Sequence, residues 1–405
     1  MYAQVAVLTY QSPDINSYTY LVPQNLKSKI QPGQLVSVPF GKRNPQGIVL
    51  STVNSQASTV YKIKTISSIT LDQPLILKYQ IELLRWLSFY YHAPMVNCLE
   101  AMLPKIPKKK SPQYMNYQLS TKNQTLVLVP TINHIPQTLA AYPMAKNYAL
   151  YHNELKMPEK FAAWQKILSG NADFIFGSRQ AIFTPCPNLK KIVIYNEHEG
   201  AYKDDQSPYF DTLAVAQKIS QLTGTKLEII DSSPKITSYF SHQENIKIPK
   251  LDVQTKIISM TSEKISGNRS AVSAYLEACL KKNKGNSLLF LNKKIEAGSL
   301  FCKNCQHQEY LNRQPSLCPN CQSANIWFNS LNIFSLAAEV RKLIPGTKVH
   351  LIAEGIAQQP NLLMTKEPSI DIATASVFYR LLQQKYALVA HIAADTTLNI
   401  VDFSS

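Results

Sequence analysis

Two closely spaced cysteine pairs carry the clearest chemistry in this 405-residue sequence. Cys302 and Cys305 form one C-x-x-C pair, and Cys318 and Cys321 form a second pair after twelve intervening residues. A C-x-x-C turn places two thiolates on one side of a tight loop, and two such turns complete a tetrahedral site. Because four protein ligands leave no open position, the spacing predicts one structural Zn²⁺ ion and not a catalytic metal.

The other thiols and the first residues bear on the cellular compartment. Cys98, Cys186 and Cys279 have no partner at ligand spacing, so we expect ordinary buried residues there. The first residues lack the basic-then-apolar layout of a signal peptide, and no apolar run reaches the length of about 18 residues that a membrane span needs. These features predict a cytoplasmic protein with reduced thiols and no membrane partner.

The overall charge bears on the kind of partner. A net charge of +16 favours a polyanion, either DNA, RNA or an anionic membrane. A lysine-rich solubilising surface is the alternative that charge alone leaves open. Since 45% of the residues are apolar and 17% are charged, the sequence predicts a folded chain.

The first hundred residues are rich in short strands. Turn signals such as Gln31–Gly33 and Asn44–Gly47 separate runs of β-branched and aromatic residues, which predicts a small barrel or sandwich. An apolar stripe predicts a helix over Leu75–Tyr91. The predicted strands are Val5–Leu8, Thr19–Val22, Leu35–Pro39, Gly47–Ser51 and Tyr61–Ile66.

The rest of the chain has a different pattern of residue types. Prolines and lysines at residues 105–124 predict a basic linker. From residue 125 onward, apolar runs alternate with helical stretches, which is typical of parallel sheets covered by helices. The cysteine pairs interrupt the second half of this alternation.

Several segments resemble the PriA family of replication-restart helicases. Near the N-terminus the order and spacing of four segments are similar to that family's 3′-DNA-end-binding domain: Tyr18–Pro23, Gln31–Gly33, Val38–Gly41 and Arg85–Pro94. Further segments resemble landmarks of the family's two motor lobes: Leu126–Pro130, Phe176–Phe183, Glu197–Lys203, Ser233–Pro234, Gly267–Ser270, Leu288–Asn292 and Asp395–Phe403.

The resemblance implies a mixed α/β architecture. It places a small, β-barrel-like DNA-binding domain at residues 1–104, followed by the linker at 105–124. Two degenerate RecA-like lobes follow at 125–255 and 256–405, with a zinc ribbon inserted in the second lobe at 300–326. The family has eight cysteines and two zinc ions. This sequence resembles the outer four cysteines only, which again implies one zinc ion.

The resemblance also implies a pocket for the 3′-terminal nucleotide of DNA. An aromatic face can stack a base, a lysine can meet a phosphate, and a glycine lets the backbone approach closely. Thr19 stands where many relatives have an aspartate that accepts a hydrogen bond from the 3′-hydroxyl. The alternative for the two tyrosines is that they pack the barrel, and for Arg179 it is a surface salt bridge. The expected DNA-binding residues are Tyr18, Thr19, Tyr20, Gly41, Lys42, Arg43, Lys64 and Arg179.

Departures from the family concern ATP hydrolysis. None of the 12 glycines precedes a Lys-Ser or Lys-Thr pair, so the sequence has no Walker A loop; only Gly41 precedes a lysine. The family's Asp-Glu-Glu-His motif aligns with Tyr195–His198, where tyrosine and asparagine replace the first two carboxylates. The sequence also ends before the expected arginine-bearing motif. We therefore expect no ATP as cofactor and no catalytic residues.

The sequence thus predicts a non-catalytic protein that binds forked DNA or recessed 3′ ends in replication restart. Replication-restart or single-strand-binding proteins are the further partners that such a role implies. A divergent ATP-dependent 3′–5′ helicase, with Gln113–Ser120 or a partner supplying the missing loop, is the first alternative. A structural zinc-ribbon protein that binds nucleic acid is the second.

Overall fold

The structure is a computed structural model that describes most of the chain. The described residues are 1–9, 16–54, 63–105, 122–231, 235–241, 253–292, 298–311, 313–329, 331–353, 368–374 and 386–395. They divide into two compact units, Met1–Lys247 and Ile248–Ser405. Within the described residues, no helix combines the length and apolar character needed to cross a bilayer.

The first unit begins with an antiparallel sheet in the order β2-β1-β4-β3-β5. Alternating side chains of each strand point to opposite faces, so the sheet has two apolar faces. One face encloses a small core that includes Val5, Val36 and Val49. The other face carries Ala6, Leu35 and Ile48 into a larger core that it shares with the helices. The elements are β1 (Tyr2–Val7), β2 (Tyr18–Leu21), β3 (Leu35–Ser37), β4 (Gln46–Val53), β5 (Ser68–Ile69), α1 (Lys78–Tyr90) and α2 (Met95–Met102).

The two edges of this sheet meet. The backbone amide of Leu21 in β2 donates to the carbonyl oxygen of Lys64 at 2.9 Å, and the amide of Ile66 donates to the Leu21 carbonyl at 3.0 Å. These bonds join the segment before β5 to the opposite edge strand, β2. Closure of this kind satisfies edge groups that would otherwise face solvent.

A parallel sheet in the order β10-β9-β6-β8-β7 completes the first unit. The side chain of Trp164 in α4 is fully buried, and its indole nitrogen donates to the Leu75 carbonyl at 3.0 Å. The antiparallel and parallel sheets therefore share one core. The elements are β6 (Gln124–Leu128), α3 (Ile135–Ala140), β7 (Tyr148–Tyr151), α4 (Met157–Leu168), β8 (Phe174–Gly177), β9 (Leu189–Tyr195), α5 (Thr212–Thr223), β10 (Lys226–Ile230) and α6 (Ile236–Ser241).

The second unit has a parallel sheet in the order β15-β16-β11-β17 and a small antiparallel sheet in the order β13-β12-β14. Helix α9 packs its buried face, which includes Leu336 and Val340, in the core of the parallel sheet. The elements are α7 (Met260–Ile265), α8 (Ala274–Lys282), β11 (Ser287–Phe290), β12 (Gly298–Cys302), β13 (Gln308–Leu311), β14 (Ile326–Asn329), α9 (Ile333–Leu343), β15 (Lys348–Ile352), β16 (Ser369–Ala373) and β17 (Leu388–His391).

The expected mixed α/β class is confirmed, and the expected elements differ in detail. The last predicted N-terminal strand, Tyr61–Ile66, is wrong over its described part: Thr65 makes an isolated bridge, and β5 follows at Ser68–Ile69. The sequence pattern does not predict α2, β7 or β16. In β16 a buried aspartate, Asp371, interrupts the apolar run and is satisfied by His350 Nδ1 at 2.9 Å and by the Tyr386 hydroxyl at 2.7 Å.

Some expectations fall on residues outside those described. They are most of the linker at 105–124, including the segment Gln113–Ser120, together with the landmarks Ser233–Pro234 and all but the first residue of Asp395–Phe403.

Candidate metal centre and nucleic-acid interface

The four cysteines predicted as metal ligands converge in the small antiparallel sheet of the second unit. Their sulfur atoms all lie within 4.8 Å of one another. The Sγ atoms of Cys302 and Cys321 are 3.6 Å apart, and those of Cys305 and Cys318 are 3.7 Å apart. Zn–S bonds of about 2.3 Å in a tetrahedron require sulfurs about 3.8 Å apart. The cluster can therefore hold one metal ion, and its geometry is compatible with zinc.

The two C-x-x-C turns have the same backbone conformation. The amide of Gln306 donates to the Cys302 carbonyl, and the amide of Gln322 donates to the Cys318 carbonyl, both at 2.9 Å. Gln306 and Gln322 both have φ of +59°, a left-handed conformation that lets the chain turn back after the second cysteine. Because the turn is the same, the C-x-x-C spacing directs two sulfur atoms to the cluster in both pairs.

The asparagine inside each turn reaches the opposite pair. Asn304 Nδ2 lies 3.7 Å from the Sγ of Cys321, and Asn320 Nδ2 lies 3.6 Å from the Sγ of Cys305. The Cys305 thiol also receives a hydrogen bond from the backbone amide of His307. This bond, helped by the side-chain bond from Asn320, lowers the pKa of Cys305 to about 6. Groups that favour the thiolate form prepare a cysteine to bind a cation.

The nucleic-acid residues predicted in the N-terminal sheet come together through the closure of that sheet. The bond between Leu21 and Lys64 places Lys64 beside β2, the strand that carries Tyr18 and Thr19. The turn containing Gly41 joins them, because the ring of Phe40 packs edge-on against Tyr18 with centroids 5.1 Å apart. Three separate segments of the chain thus form one surface.

The exposed members of this surface are mainly polar or basic. Thr19, Gly41, Lys42, Arg43 and Lys64 are all exposed. The turn is held by reciprocal backbone bonds between Phe40 and Arg43, at 2.8 and 3.0 Å. Gly41 has φ of +59°, which glycine adopts without strain. The surface therefore offers cations, a hydroxyl group and accessible backbone.

The two tyrosines of β2 have different environments. Tyr18 is half-buried, whereas Tyr20 is only 3% exposed and packs in the small core. Burial, followed by the neighbouring Tyr18, raises the pKa of Tyr20. This environment favours the packing alternative for Tyr20 and leaves Tyr18 as the aromatic side chain with an accessible part.

Arg179 stands apart from these residues, in the turn after β8. Its Nε lies 3.5 Å from a carboxylate oxygen of Asp204, and its Nη1 donates to the Lys203 carbonyl. Only 22% of the side chain is exposed. These contacts favour the salt-bridge alternative for Arg179.

The strand end that resembles the family's Asp-Glu-Glu-His motif is occupied by structural contacts. The hydroxyl of Tyr195 lies 3.3 Å from that of Tyr142. Glu197 is 1% exposed and accepts hydrogen bonds from the amide of Lys235 at 3.1 Å and the hydroxyl of Ser238 at 2.8 Å. His198 Nδ1 lies 2.9 Å from both carboxylate oxygens of Asp231. The acidic groups here are bound within the fold.

Phe40 contacts the predicted nucleic-acid surface, and sequence reasoning missed it. Its ring orients Tyr18, the one aromatic side chain of β2 with an accessible part on this surface. The signal lies in the segment Val38–Gly41, where an aromatic residue precedes a glycine turn, but its contact with β2 depends on long-range pairing.

Comparison with known proteins shows what the chain is similar to. Residues 7–104 match the family model of the 3′DNA-binding domain of PriA. The chain is 27% identical over 335 residues to the replication restart protein PriA of Bacillus subtilis, covering 71% of this chain and 41% of that protein. It is 30% identical over 224 residues to PriA of Synechocystis, covering 50% and 26%, and 23% identical over 434 residues to PriA of Rickettsia conorii, covering 84% and 65%.

These matches, together with the closed N-terminal sheet, place the chain among proteins that carry a 3′DNA-binding domain. More particularly, the chain is similar to replication restart proteins of the PriA family. It spans less than half the length of the Bacillus relative.

Proposed function

We propose that this protein binds DNA in replication restart, recognises a fork or a recessed 3′ end, and does not hydrolyse ATP. The convergence of β2, the Gly41 turn and Lys64 on one exposed surface is the observation that carries the proposal. This surface lies in the segment that matches the 3′DNA-binding domain, at residues 7–104.

In the proposed complex, each kind of group on this surface has a distinct role. Lys42, Arg43 and Lys64 contact phosphates, which gives affinity that weakens with salt and has no base preference. The accessible part of Tyr18 meets the terminal base; aromatic–base contacts contribute about 1–3 kcal/mol. The exposed Thr19 hydroxyl accepts a hydrogen bond from the terminal 3′-hydroxyl, more weakly than a carboxylate would.

We also propose the finer organisation of the rest of the chain. Residues 125–255 and 256–405 correspond to degenerate RecA-like lobes, and residues 300–326 correspond to a zinc ribbon. The parallel sheets of both units and the four-sulfur cluster support this assignment. The ion is structural, since Cys302, Cys305, Cys318 and Cys321 would fill all four positions of a tetrahedral site.

The absence of ATP hydrolysis is proposed from sequence and local contacts together. No glycine of the sequence begins a Gly-Lys-Ser or Gly-Lys-Thr loop. At the end of β9, Tyr195 and Asn196 cannot hold magnesium as carboxylates do. Glu197 is already engaged by Lys235 and Ser238.

The proposal is tested by fluorescence anisotropy with one labelled fork that carries either a 3′-hydroxyl or a 3′-phosphate at its leading end. We expect tighter binding of the free hydroxyl at fixed salt. Lys64→Ala should lower the slope of log K against log salt by about 0.9, as loss of one phosphate contact does. Lys78→Ala is the matched control, because Lys78 is also exposed but begins helix α1.

Two outcomes would contradict the proposal. Equal binding of both forks would remove end recognition and leave a general DNA-binding surface. Fork-stimulated ATP turnover above that of a Lys42→Ala variant would remove the non-catalytic assignment and favour a divergent helicase.

A further inference from the structure

A cavity of about 310 Å³ lies in the first unit, away from the residues assigned to the DNA 3′ end. It opens at the carboxyl ends of two parallel strands, where ligands of open α/β sheets commonly bind. Tyr151 closes β7, and Gln180 lies in the turn after β8. Lys160 comes from α4, and Lys105 from the chain that follows α2.

The cavity holds a lysine whose charge is not neutralised by its closest partners. The Nζ of half-buried Lys160 donates to Gln180 Oε1 at 2.6 Å and lies 5.3 Å from the centre of the Tyr151 ring. Both partners are uncharged. Burial, and then the like charge of Lys105, lower the pKa of Lys160. Two cations therefore face the same space at an energetic cost that an anion would relieve.

Other polar groups define what kind of anion fits. Asn153 also lines the cavity, and the Gln180 oxygen is already used by Lys160, so its amide NH₂ group can donate. Glu100 also lines the cavity and is exposed, so the positive charge is concentrated at Lys105 and Lys160. A cavity of this volume is larger than a phosphate needs and leaves room for an attached sugar.

We infer that this cavity binds a phosphate ester, held by Lys105 and Lys160 and by the amide groups of Asn153 and Gln180. The phosphate belongs either to a nucleic-acid strand or to a free nucleotide. The assignment of the phosphate to a nucleic-acid strand rests on the proposed DNA-binding function. The inference that the cavity binds a phosphate does not rest on it.

The test is amine labelling of the full chain, read lysine by lysine by mass spectrometry, with three probes. The probes are inorganic phosphate, a 5′-mononucleotide and a single-stranded oligonucleotide. We expect phosphate and the nucleotide to suppress labelling of Lys105 and Lys160 but not of Lys166. Lys166 is the internal control, because it lies on the same helix and is exposed, with its Nζ on the Tyr148 carbonyl at 2.8 Å.

Substitutions of single lysines test whether protection from amine labelling reflects binding in the cavity. Lys160→Gln should weaken phosphate binding about tenfold, the loss expected for one charge-assisted hydrogen bond. Lys160→Arg should retain binding, and Lys166→Gln should not change it. Circular dichroism of each variant checks that the fold is kept.

The three probes separate the possible results. Suppression by the oligonucleotide as well assigns the phosphate to a strand, and suppression by the small probes alone assigns it to a nucleotide. If none of the probes changes labelling of Lys160, the inference is overturned. Forks could then still bind through the surface formed by β2, the Gly41 turn and Lys64. The two proposals can therefore be refuted separately.

Discussion

Removal of one thiolate from the four-cysteine cluster should unfold the small sheet β12–β14 and spare the parallel sheet of the same unit. In the described part of residues 298–329, the buried apolar side chains are Leu300 and the two ligands Cys302 and Cys318. None of these residues belongs to the core of the parallel sheet. The small sheet thus depends on its own contacts and on the metal ion that we propose for the cluster.

The magnitudes show which contribution dominates. Burial of one leucine side chain, Leu300, contributes about 1.5–3 kcal/mol. Zinc bound by four cysteines contributes roughly 10–16 kcal/mol at neutral pH in small zinc-binding peptides. Cys305→Ser removes one ligand and the thiolate favoured by the His307 amide. We therefore expect the sheet to be unfolded in the variant even with zinc in excess.

The assay combines zinc analysis with hydrogen exchange. The unaltered protein should contain about one zinc per chain, with protected amides in β12 and β13. Cys305→Ser should lose both the zinc and the protection, while amides of β11 and β16 stay protected. The matched control is Cys279→Ser, since Cys279 lies in α8 outside the cluster. Acidification should release zinc, because protons compete for the thiolates.

Three results would refute this reasoning. Retention of zinc by Cys305→Ser would show that the fourth thiolate is dispensable. Persistent protection of β12 after chelation would show that apolar contacts suffice. Two zinc ions per chain would contradict the single-site assignment.

Two further predictions concern the first unit. Gly177→Ala should lower the free energy of unfolding by about 1–3 kcal/mol, as overpacking does, because an added Cβ would lie 2.1 Å from the Tyr151 carbonyl oxygen. Urea denaturation measures this, and Gly200→Ala is the control because no atom lies within 4 Å of its added Cβ; equal losses would contradict the prediction. Burial lowers the pKa of His134, so the unfolded state binds more protons and stability should fall as pH drops below about 6.5. His134→Asn should flatten this dependence in urea titrations at several pH values, and an unchanged dependence would exclude His134 as its source.

The sequence predicts those features that local spacing determines. The C-x-x-C pairs carry their own turn geometry, and the structure brings all four sulfurs together. Runs of β-branched and aromatic residues between turn signals likewise predict four of the N-terminal strands. Short strands such as β7, and β16 with its buried Asp371, escape prediction because partners distant in sequence stabilise them.

The proposed nucleic-acid surface is predictable from the sequence only in part. A resemblance to known motifs supplies Tyr18 and Lys64, but their proximity follows from the closure of the sheet at Leu21. Pattern alone could not separate Tyr18 from Tyr20, since both lie on one side of β2 and differ in how deeply the fold covers them. The pairing of Lys105 with Lys160 likewise arises from residues far apart in the chain.

The segment at the end of β9 shows how the side chains of Tyr195 and Glu197 differ in what they contribute to the fold. The hydroxyl of Tyr202 lies 2.6 Å from the Tyr195 carbonyl, a backbone contact that any side chain at 195 permits. Glu197, by contrast, is buried and satisfies the amide of Lys235 and the hydroxyl of Ser238 with its own side chain. Loss of Glu197 would leave buried groups unpaired. The contacts with Lys235 and Ser238 therefore give Glu197 a role in the fold that does not depend on ATP hydrolysis.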